Sequence, residues 1–392
     1  MKCVPGRKGI ERMKKILPVI LAVCMLLCAC AEAPVEQTTS APINTTTEDV
    51  TTEQTTEATD ATEATVETTV PNTTDETVSE IVYRNPLNGT LLAEPYTARP
   101  YAVVINNIQY AQPMCSISNA DFVIEGLTEG GITRCLAVYS DISNLQHIGA
   151  IRSARPFLVN VANSFDAIFI HHGGSKDGYS LIETLGMDDI DAIGKGGEAF
   201  YRDQDRLDNG YDLEHTSFAD GNDLMDEIKA LSYKTERAEG IDYGFVFSDV
   251  SSAVAGQSAS KLKVSYINGG KTTLFTYNEQ MARYEVEQYG KDVVDGNTDK
   301  TVTFRNVIVM NAETHNYKLD ENDTTVRVSI TLTGEGTGVF ACDGKMIPIC
   351  WSRAGDNEPF VFMHEDGTPI TLGEGNTYVA ILPLDGALNV TE

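Results

Sequence analysis

A long acidic segment near the N-terminus limits how much of this chain can fold. Residues 31–83 contain twelve acidic residues and no lysine or arginine, and residues 35–80 contain no aromatic residue. Thr, Glu, Asp, Ala and Pro dominate there, so the segment cannot bury enough apolar surface to offset the entropy lost on folding. The sequence therefore predicts an extended tether over residues 30–83 and a folded part that begins at residue 84.

The residues before the tether have the organisation of a bacterial export signal. A basic region follows Met13, an apolar run extends from Ile16 to Ala29, and Cys30 comes next. The run is too short to span a bilayer comfortably, as is typical of a signal peptide. The residues ending at Cys30 resemble the lipobox of bacterial lipoproteins, in which the peptidase cuts before a cysteine that carries diacylglycerol. We expect a signal peptide at residues 1–29, starting at Met13, and a lipid anchor on Cys30; later cleavage, or lipidation of Cys28, is the alternative.

Length and charge limit the class of protein further. The chain has 392 residues, enough for two ordinary domains. Its 29 basic and 57 acidic residues give a net charge of −28. Nucleic-acid backbones are bound through a surplus of Lys and Arg, so we expect no nucleic-acid partner.

The pattern of apolar residues changes near the middle of the folded part. Residues 84–240 alternate strands, expected at 101–105, 132–139 and 166–170, with helices, expected at 154–165, 179–186 and 222–231. Ser153 is the expected N-cap of the first helix. From Gly244 onward, β-forming residues are separated by Gly, Asn and Asp turns. The predicted fold class is α+β, with an N-terminal α/β-type domain at 84–240 followed by a mainly antiparallel β domain at 241–392.

Four cysteines follow the tether, and their spacing favours no pairing: Cys115, Cys135, Cys342 and Cys350. An exported protein can hold disulfides. However, Asp343-Gly344 has the composition of a two-residue hairpin turn, which would set Cys342 opposite Lys345 and away from Cys350. No Cys or His cluster has the spacing of a zinc site, so we expect no structural metal.

The richest cluster of charged residues lies between Asp121 and Arg155. It contains two acids, Glu125 and Glu129, and three arginines, Arg134, Arg152 and Arg155. Arg152 and Arg155 stand where a strand gives way to a helix, and backbone N–H groups and the helix dipole attract anions there too. Arginine also binds phosphate or carboxylate bidentately. The alternative is an internal Arg–Glu network that binds nothing.

Two further segments carry candidate side chains. His171 belongs to a His-His-Gly-Gly-Ser sequence at a strand end. Alternate strand residues point to opposite faces, so the two histidines are not expected to chelate one metal; a simple turn is the alternative to an anion-binding loop. Arg202, Asp203, Asp205 and Arg206 form a second charged segment, for which a solvated loop is the alternative.

Several longer motifs occur in the order seen in YerB-type bacterial lipoproteins, which this sequence resembles. They are PLNG at 86–89, RPYAVVINN at 99–107, ADFVIEGLTEGGITR at 120–134, IGAIRSARP at 148–156 and FIHHGGS at 169–175. The resemblance implies a two-domain architecture and an envelope location. It implies little biochemistry, because the family is known chiefly as a domain of unknown function. Glu214 stands before His215, where the family pattern leads us to expect proline.

The chain is also similar, more distantly, to the LytR-CpsA-Psr cell-wall phosphotransferases. Those enzymes move polymers from a polyprenyl pyrophosphate carrier, with arginines on the pyrophosphate and carboxylates on a magnesium ion. By position, the likeness implies magnesium binding by Asp203 or Asp205. It implies anion binding by Arg134, Arg152, Arg155, Arg202 and Arg206. No cofactor other than this magnesium is indicated.

The favoured hypothesis is a lipid-anchored envelope protein that binds an anionic cell-wall polymer, or an envelope protein partner, near Arg152 and Arg155. The alternatives are a phosphotransferase acting on a lipid-linked cell-wall precursor and an interaction lipoprotein without a small ligand. The sequence leaves open whether the protein is an enzyme.

Overall fold

Unbroken apolar runs form the centre of the fold. The computed structural model describes residues 82–392, so the signal peptide, Cys30 and nearly all of the tether lie outside the described residues. The strand Tyr101–Asn106 is buried along its whole length, as expected for a strand covered on both faces. It belongs to an 11-stranded sheet, here called the central sheet.

Ten strands form the central sheet in the spatial order Gln257–Ser258, Lys345–Arg353, Gly334–Cys342, Asn306–Ala312, Thr377–Pro383, Phe122–Leu127, Thr133–Tyr139, Tyr101–Asn106, Ile168–His171 and Asp189–Asp191. The eleventh, Val361–Met363, pairs with Lys345–Arg353. Near the middle, Thr377–Pro383 runs parallel to Phe122–Leu127 on one side and to Asn306–Ala312 on the other. One sheet therefore joins strands from the two ends of the folded chain.

Both faces of the central sheet are covered. Alternate side chains of Tyr101–Asn106 enter two different apolar clusters, as strand geometry requires. One cluster includes Leu262 and Phe275 of a second, six-stranded sheet. The other includes Leu158 and Val161 of the first helix. The central sheet is thus covered on one face by the second sheet together with the helix Gly221–Ala230, and on the other face by the first helix.

The second sheet is antiparallel throughout. Its strands are Lys291–Asp292, Arg283–Gln288, Thr272–Asn278, Lys261–Ser265, Ala387–Thr391 and Thr303–Phe304. A three-stranded sheet contains Ile148–Gly149, Ser217–Ala219 and Phe200–Arg202. Four two-stranded pairs join Tyr83–Arg84 with Leu91–Leu92, Val246–Ser248 with Thr371–Gly373, Val294–Asp295 with Lys300–Thr301, and Thr314–Tyr317 with Arg327–Ile330.

The helices lie in the N-terminal half of the described residues. The α-helices are α1 (Pro156–Ser164), α2 (Lys176–Leu185), α3 (Gln204–Asp208) and α4 (Gly221–Ala230). Single 3₁₀ turns occur at Gln109–Ala111, Ile117–Asn119, Glu129–Gly131, Gly197–Ala199, Leu213–His215 and Ser252–Ala255. Within residues 82–392, no helix combines the length and apolarity needed to cross a membrane.

The predicted α+β class is confirmed, and the C-terminal half is mainly antiparallel sheet. The Asp343-Gly344 hairpin is confirmed as well, with Cys342 paired to Lys345. The prediction that Ser153 caps α1 is wrong. Arg155 occupies the N-cap position and Pro156 begins the helix, because proline has no N–H to lose at that position.

The described cysteines form neither of the disulfides that sequence proximity allows. Cys115, Cys135 and Cys342 are free, buried thiols, which excludes both a Cys115–Cys135 and a Cys342–Cys350 bond. Burial raises the pKa of Cys115 to about 11, and it also raises that of Cys342 to about 11. These thiols are therefore protonated at neutral pH and act as apolar core residues.

Candidate functional site

Segments from three parts of the chain line a surface cleft of about 370 Å³, here called the Arg152 cleft. Its polar lining includes Arg152, His172, Arg202, Asp212, Glu214 and Ser217. The strand pair Phe200–Arg202 and Ser217–Ala219 sets Arg202 directly opposite Ser217. The backbone N–H of Arg152 donates to the Val104 carbonyl of the central sheet at 2.9 Å. The cleft therefore lies where the three-stranded sheet meets the central sheet.

A chain of hydrogen bonds determines the protonation of His172. Arg202 Nη2 lies 3.1 Å from His172 Nε2, and a guanidinium can only donate, so Nε2 accepts. Nδ1 then carries the proton and donates to Ser217 Oγ at 2.6 Å. Burial, followed by the charge of Arg202, lowers the pKa of His172. The cleft thus contains a neutral imidazole held between a guanidinium and a hydroxyl.

Arg152 is partnered by Glu214 but keeps unused donor capacity. Its Nη1 donates to the Glu214 carbonyl at 2.9 Å, and its Nη2 donates to Glu214 Oε2 at 3.3 Å. Arg152 Nε is buried and has no hydrogen-bond partner among the described residues. The Glu214 side chain is 56% exposed, so this carboxylate can swing into solvent at little cost.

Arg202 adds a second positive charge to the cleft. Its Nη1 donates to the Leu213 carbonyl at 2.8 Å. Burial and the neighbouring charge of Arg152 lower the pKa of Arg202. This mutual effect means that the two guanidiniums repel each other, and an anion bound between them would relieve that repulsion.

Arg134 and Arg155 lie in a separate ion-pair network around Glu129. Arg155 Nε donates to both carboxylate oxygens of Glu129, at 3.0 and 2.9 Å. Arg134 Nη2 lies 3.6 Å from Glu129 Oε1, and its Nη1 donates to the Ser153 carbonyl at 3.1 Å. In these contacts both arginines are paired with one carboxylate, that of Glu129. This arrangement corresponds to the internal Arg–Glu network that the sequence left open as an alternative to anion binding.

The electrostatics of this network follow from its burial. Burial alone would raise the pKa of Glu129, but the Arg155 hydrogen bonds and the charges of Arg134 and Arg155 lower it to about 2. Burial, with the charge of Arg155, lowers the pKa of Arg134 to about 9. Glu129 is therefore ionised at any physiological pH, and it ties the strand Thr133–Tyr139 to the start of α1.

Glu125 is also internal. It is fully buried, and its Oε2 accepts hydrogen bonds from Tyr266, Thr273 and Tyr378 at 2.6 to 2.8 Å. Its Oε1 accepts from Asn107 and Thr133 at 2.8 and 2.7 Å. This carboxylate lies where strands from the two ends of the folded chain meet, and it does not line the Arg152 cleft.

The second charged segment folds mainly into structural contacts. Arg206 is buried, and its guanidinium donates to the carbonyls of Ala111 and His215 at 2.9 and 3.2 Å. Asp203 accepts from the Arg206 backbone N–H at 3.0 Å, which caps α3. The Asp203 carboxylate also lies 3.0 Å from His147 Nε2. Arg206 and Asp203 therefore hold α3 in place.

These positions do not fit a magnesium ion. The Asp203 carboxylate contacts two basic side chains, Arg206 and His147, whereas Mg²⁺ binds where carboxylates are free to coordinate it. Asp205 lies in the first turn of α3. Across residues 82–392, no three His, Cys, Asp or Glu side chains are grouped closely enough to hold a metal ion.

The two consecutive histidines face different surroundings, as the strand pattern predicts. His171 is completely buried; its Nδ1 lies 2.9 Å from the Gly173 carbonyl and its Nε2 lies 3.3 Å from Asp189 Oδ2. His172 faces the cleft. The candidate that the sequence motif indicated, His171, therefore lies outside the cleft, whereas His172, Ser217 and Glu214, which the motifs did not indicate as site residues, line it. Strand alternation was the one available signal for His172, because it requires the two rings to diverge.

Comparison with known proteins supports the architecture. Two family models, described as the N-terminal and C-terminal domains of "Protein of unknown function (DUF3048)", match residues 87–238 and 262–379. The Bacillus subtilis (strain 168) protein described as "Putative lipoprotein YerB" is 28% identical over 306 residues, which cover 77% of this chain and 87% of that protein.

The crystal structure of YerB from Bacillus subtilis has a similar fold. The TM-score is 0.66 at 27% sequence identity, over 78% of this chain and 99% of the YerB chain. The comparisons do not bear on the resemblance to LytR-CpsA-Psr phosphotransferases, which stays a prediction. They confirm the resemblance that the sequence motifs indicated: the chain contains both DUF3048 domains and belongs to the YerB-like lipoprotein family.

Proposed function

We propose that this protein is anchored in the bacterial envelope by a lipid on Cys30 and that its Arg152 cleft binds a phosphate group of an anionic cell-wall polymer. The lipobox-like sequence and the lipoprotein description of the Bacillus relative support the anchor. The anchor and the tether would hold the folded part outside the membrane, where such polymers occur.

The convergence of Arg152 and Arg202 carries the proposal for binding. The protein has a net charge of −28, so an anion is repelled except where local positive charge outweighs the rest. The cleft is lined by two guanidiniums and by two carboxylates, those of Asp212 and Glu214, and both carboxylates are exposed and can turn into solvent at little cost. Guanidinium groups match the geometry of phosphate oxygens, and charge-assisted hydrogen bonds are the stronger class.

Glu214 acts in this proposal as an internal substitute for the ligand. Its carboxylate accepts a hydrogen bond from Arg152 Nη2, and its backbone carbonyl accepts one from Nη1. An incoming phosphate needs to displace only the side chain, because the carbonyl contact keeps the guanidinium in place.

Binding of pyrophosphate, measured by isothermal titration calorimetry, tests the proposal. Arg152→Ala and Arg202→Ala each remove charge-assisted contacts worth about 1.5–3 kcal/mol, so the Kd should rise at least about tenfold. Glu214→Gln removes the internal competitor. Because an exposed ion pair contributes at most about 1 kcal/mol, the affinity should rise up to about fivefold.

Arg237→Ala is the matched control. Arg237 is a partly buried arginine outside the cleft that donates to the Ile241 carbonyl at 3.3 Å, and its removal should leave the Kd unchanged. Wild-type protein that does not bind pyrophosphate, or Arg152→Ala with wild-type affinity, would refute the proposal. The same titration with and without magnesium addresses the phosphotransferase alternative, which requires metal-dependent binding, whereas simple phosphate binding does not.

A further inference from the structure

A lysine is enclosed in the polar cluster around Glu125. Lys271 is 4% exposed, and its ammonium lies over the Tyr289 ring, 4.1 Å from the centroid. Lys271 Nζ lies 3.7 Å from Glu125 Oε1 and makes no hydrogen bond to any atom of the described residues. Burial lowers the pKa of Lys271, which increases the fraction of neutral, nucleophilic amine.

Asn107 is held against the same carboxylate oxygen. It is completely buried, and its Nδ2 donates to Glu125 Oε1 at 2.8 Å and to Thr133 Oγ1 at 3.0 Å. Its carbonyl oxygen, Oδ1, is buried and lacks a hydrogen-bond partner in the described part of the chain. One carboxylate oxygen thus contacts both the lysine amine and the amide nitrogen of the asparagine.

We propose that Lys271 and Asn107 form an intramolecular isopeptide bond, with Glu125 as the group that transfers the proton. Glu125 takes a proton from Lys271 Nζ, and the neutral amine attacks Asn107 Cγ. The new Cγ–Nζ bond forms as the Cγ–Nδ2 bond breaks. Nδ2 takes one proton back from Glu125 and a second proton from Nζ, which loses it as the amide forms, and Nδ2 leaves as ammonium. No oxidant or reductant is involved, and the carboxylate is regenerated.

The surroundings favour this step over a stable ion pair. Tyr266, Tyr378 and Thr273 donate to Glu125 Oε2, which fixes the carboxylate and leaves Oε1 facing the two nitrogens. Neither Lys271 Nζ nor Asn107 Oδ1 has a hydrogen bond to break within the described structure, so no hydrogen bond of these two atoms opposes the approach of the amine to Cγ. Positioned groups of this kind react as if at very high concentration.

Peptide mapping of the wild-type protein tests the bond. The full chain is denatured and digested with trypsin, and its peptides are weighed by mass spectrometry. An isopeptide bond blocks cleavage at Lys271, so we expect peptide 85–134 joined to peptide 264–283, lighter than their sum by one ammonia. Quantitative recovery of a linear peptide 264–271 from the wild type would overturn the proposal.

Two variants locate the bond. Asn107→Ala should release the linear peptide 264–271, and a joined peptide that persists in this variant would refute the assignment to Asn107. Asn106→Ala is the matched control, since Asn106 is also buried but its Nδ2 lies 3.0 Å from His215 Nδ1 instead. That variant should retain the joined peptide.

Discussion

Glu129 allows a quantitative test of how the Arg134 and Arg155 contacts stabilise the fold. Glu129→Gln keeps the shape of the side chain and removes its charge. The pKa of Glu129 is lowered from the ordinary value of 4.5 to about 2, and each pKa unit corresponds to about 1.4 kcal/mol. The side chain retains 23% exposure, so solvent reduces this effect, and we expect a loss of about 2–3 kcal/mol in the free energy of unfolding at pH 7.

The pH dependence follows from the direction of the shift. A carboxylate whose pKa is lower in the folded state stabilises the protein fully above its unfolded pKa, here 4.5, and this contribution is lost as the pH falls toward 2. Urea unfolding of wild type and Glu129→Gln at pH 7, 5, 4 and 3 should therefore give curves that converge as the pH falls. Glu335→Gln, at an exposed strand position, is the control and should follow the wild type throughout. A constant difference between Glu129→Gln and wild type at every pH would refute the electrostatic explanation.

Two further predictions concern the anchor and the packing. Cys30→Ala should leave the protein released or unprocessed, because the cysteine sulfur would carry the diacylglycerol; fractionation and mass spectrometry check this, and a membrane-bound variant of normal mature mass would contradict it. Gly221→Ala should destabilise the fold by at least about 1–3 kcal/mol, since a Cβ there would overlap the Ile142 carbonyl oxygen. Gly355→Ala, whose Cβ would have no neighbour closer than 3.8 Å, should change the thermal midpoint little, and equal midpoints for the two variants would contradict the packing argument.

Local patterns predicted the local structure well. The strands Tyr101–Asn106 and Thr133–Tyr139 begin and end within a residue of the expected positions, because each contains a run of five apolar residues, 101–105 and 135–139, with no competing helical period. α1 starts two residues after the predicted start. Pro156 occupies the first helical position, where it has no backbone N–H that would need a side-chain cap.

Long-range pairing could not be predicted in this way. Nothing in the sequence of Thr377–Pro383 indicates that it pairs with Phe122–Leu127, because a buried strand carries no local mark of its partner. The candidate site shows the same limit. Arg152 and Arg155 are near neighbours in sequence with similar surroundings, yet one lines the cleft with Glu214 and the other binds Glu129. Only the tertiary structure decides which carboxylate each arginine meets.

The position of Thr377–Pro383 near the middle of the central sheet has a consequence for the order in which the sheet can form. Synthesis from the N-terminus delivers Phe122–Leu127 and Asn306–Ala312 first, but the strand that lies between them arrives only with residues 377–383. Until then Phe122–Leu127 and Asn306–Ala312 each have one edge without a hydrogen-bonded partner strand, and the missing contacts join residues that are far apart in the sequence. Interrupted synthesis therefore leaves an open sheet, and the central sheet can close only after residues 377–383 have been made.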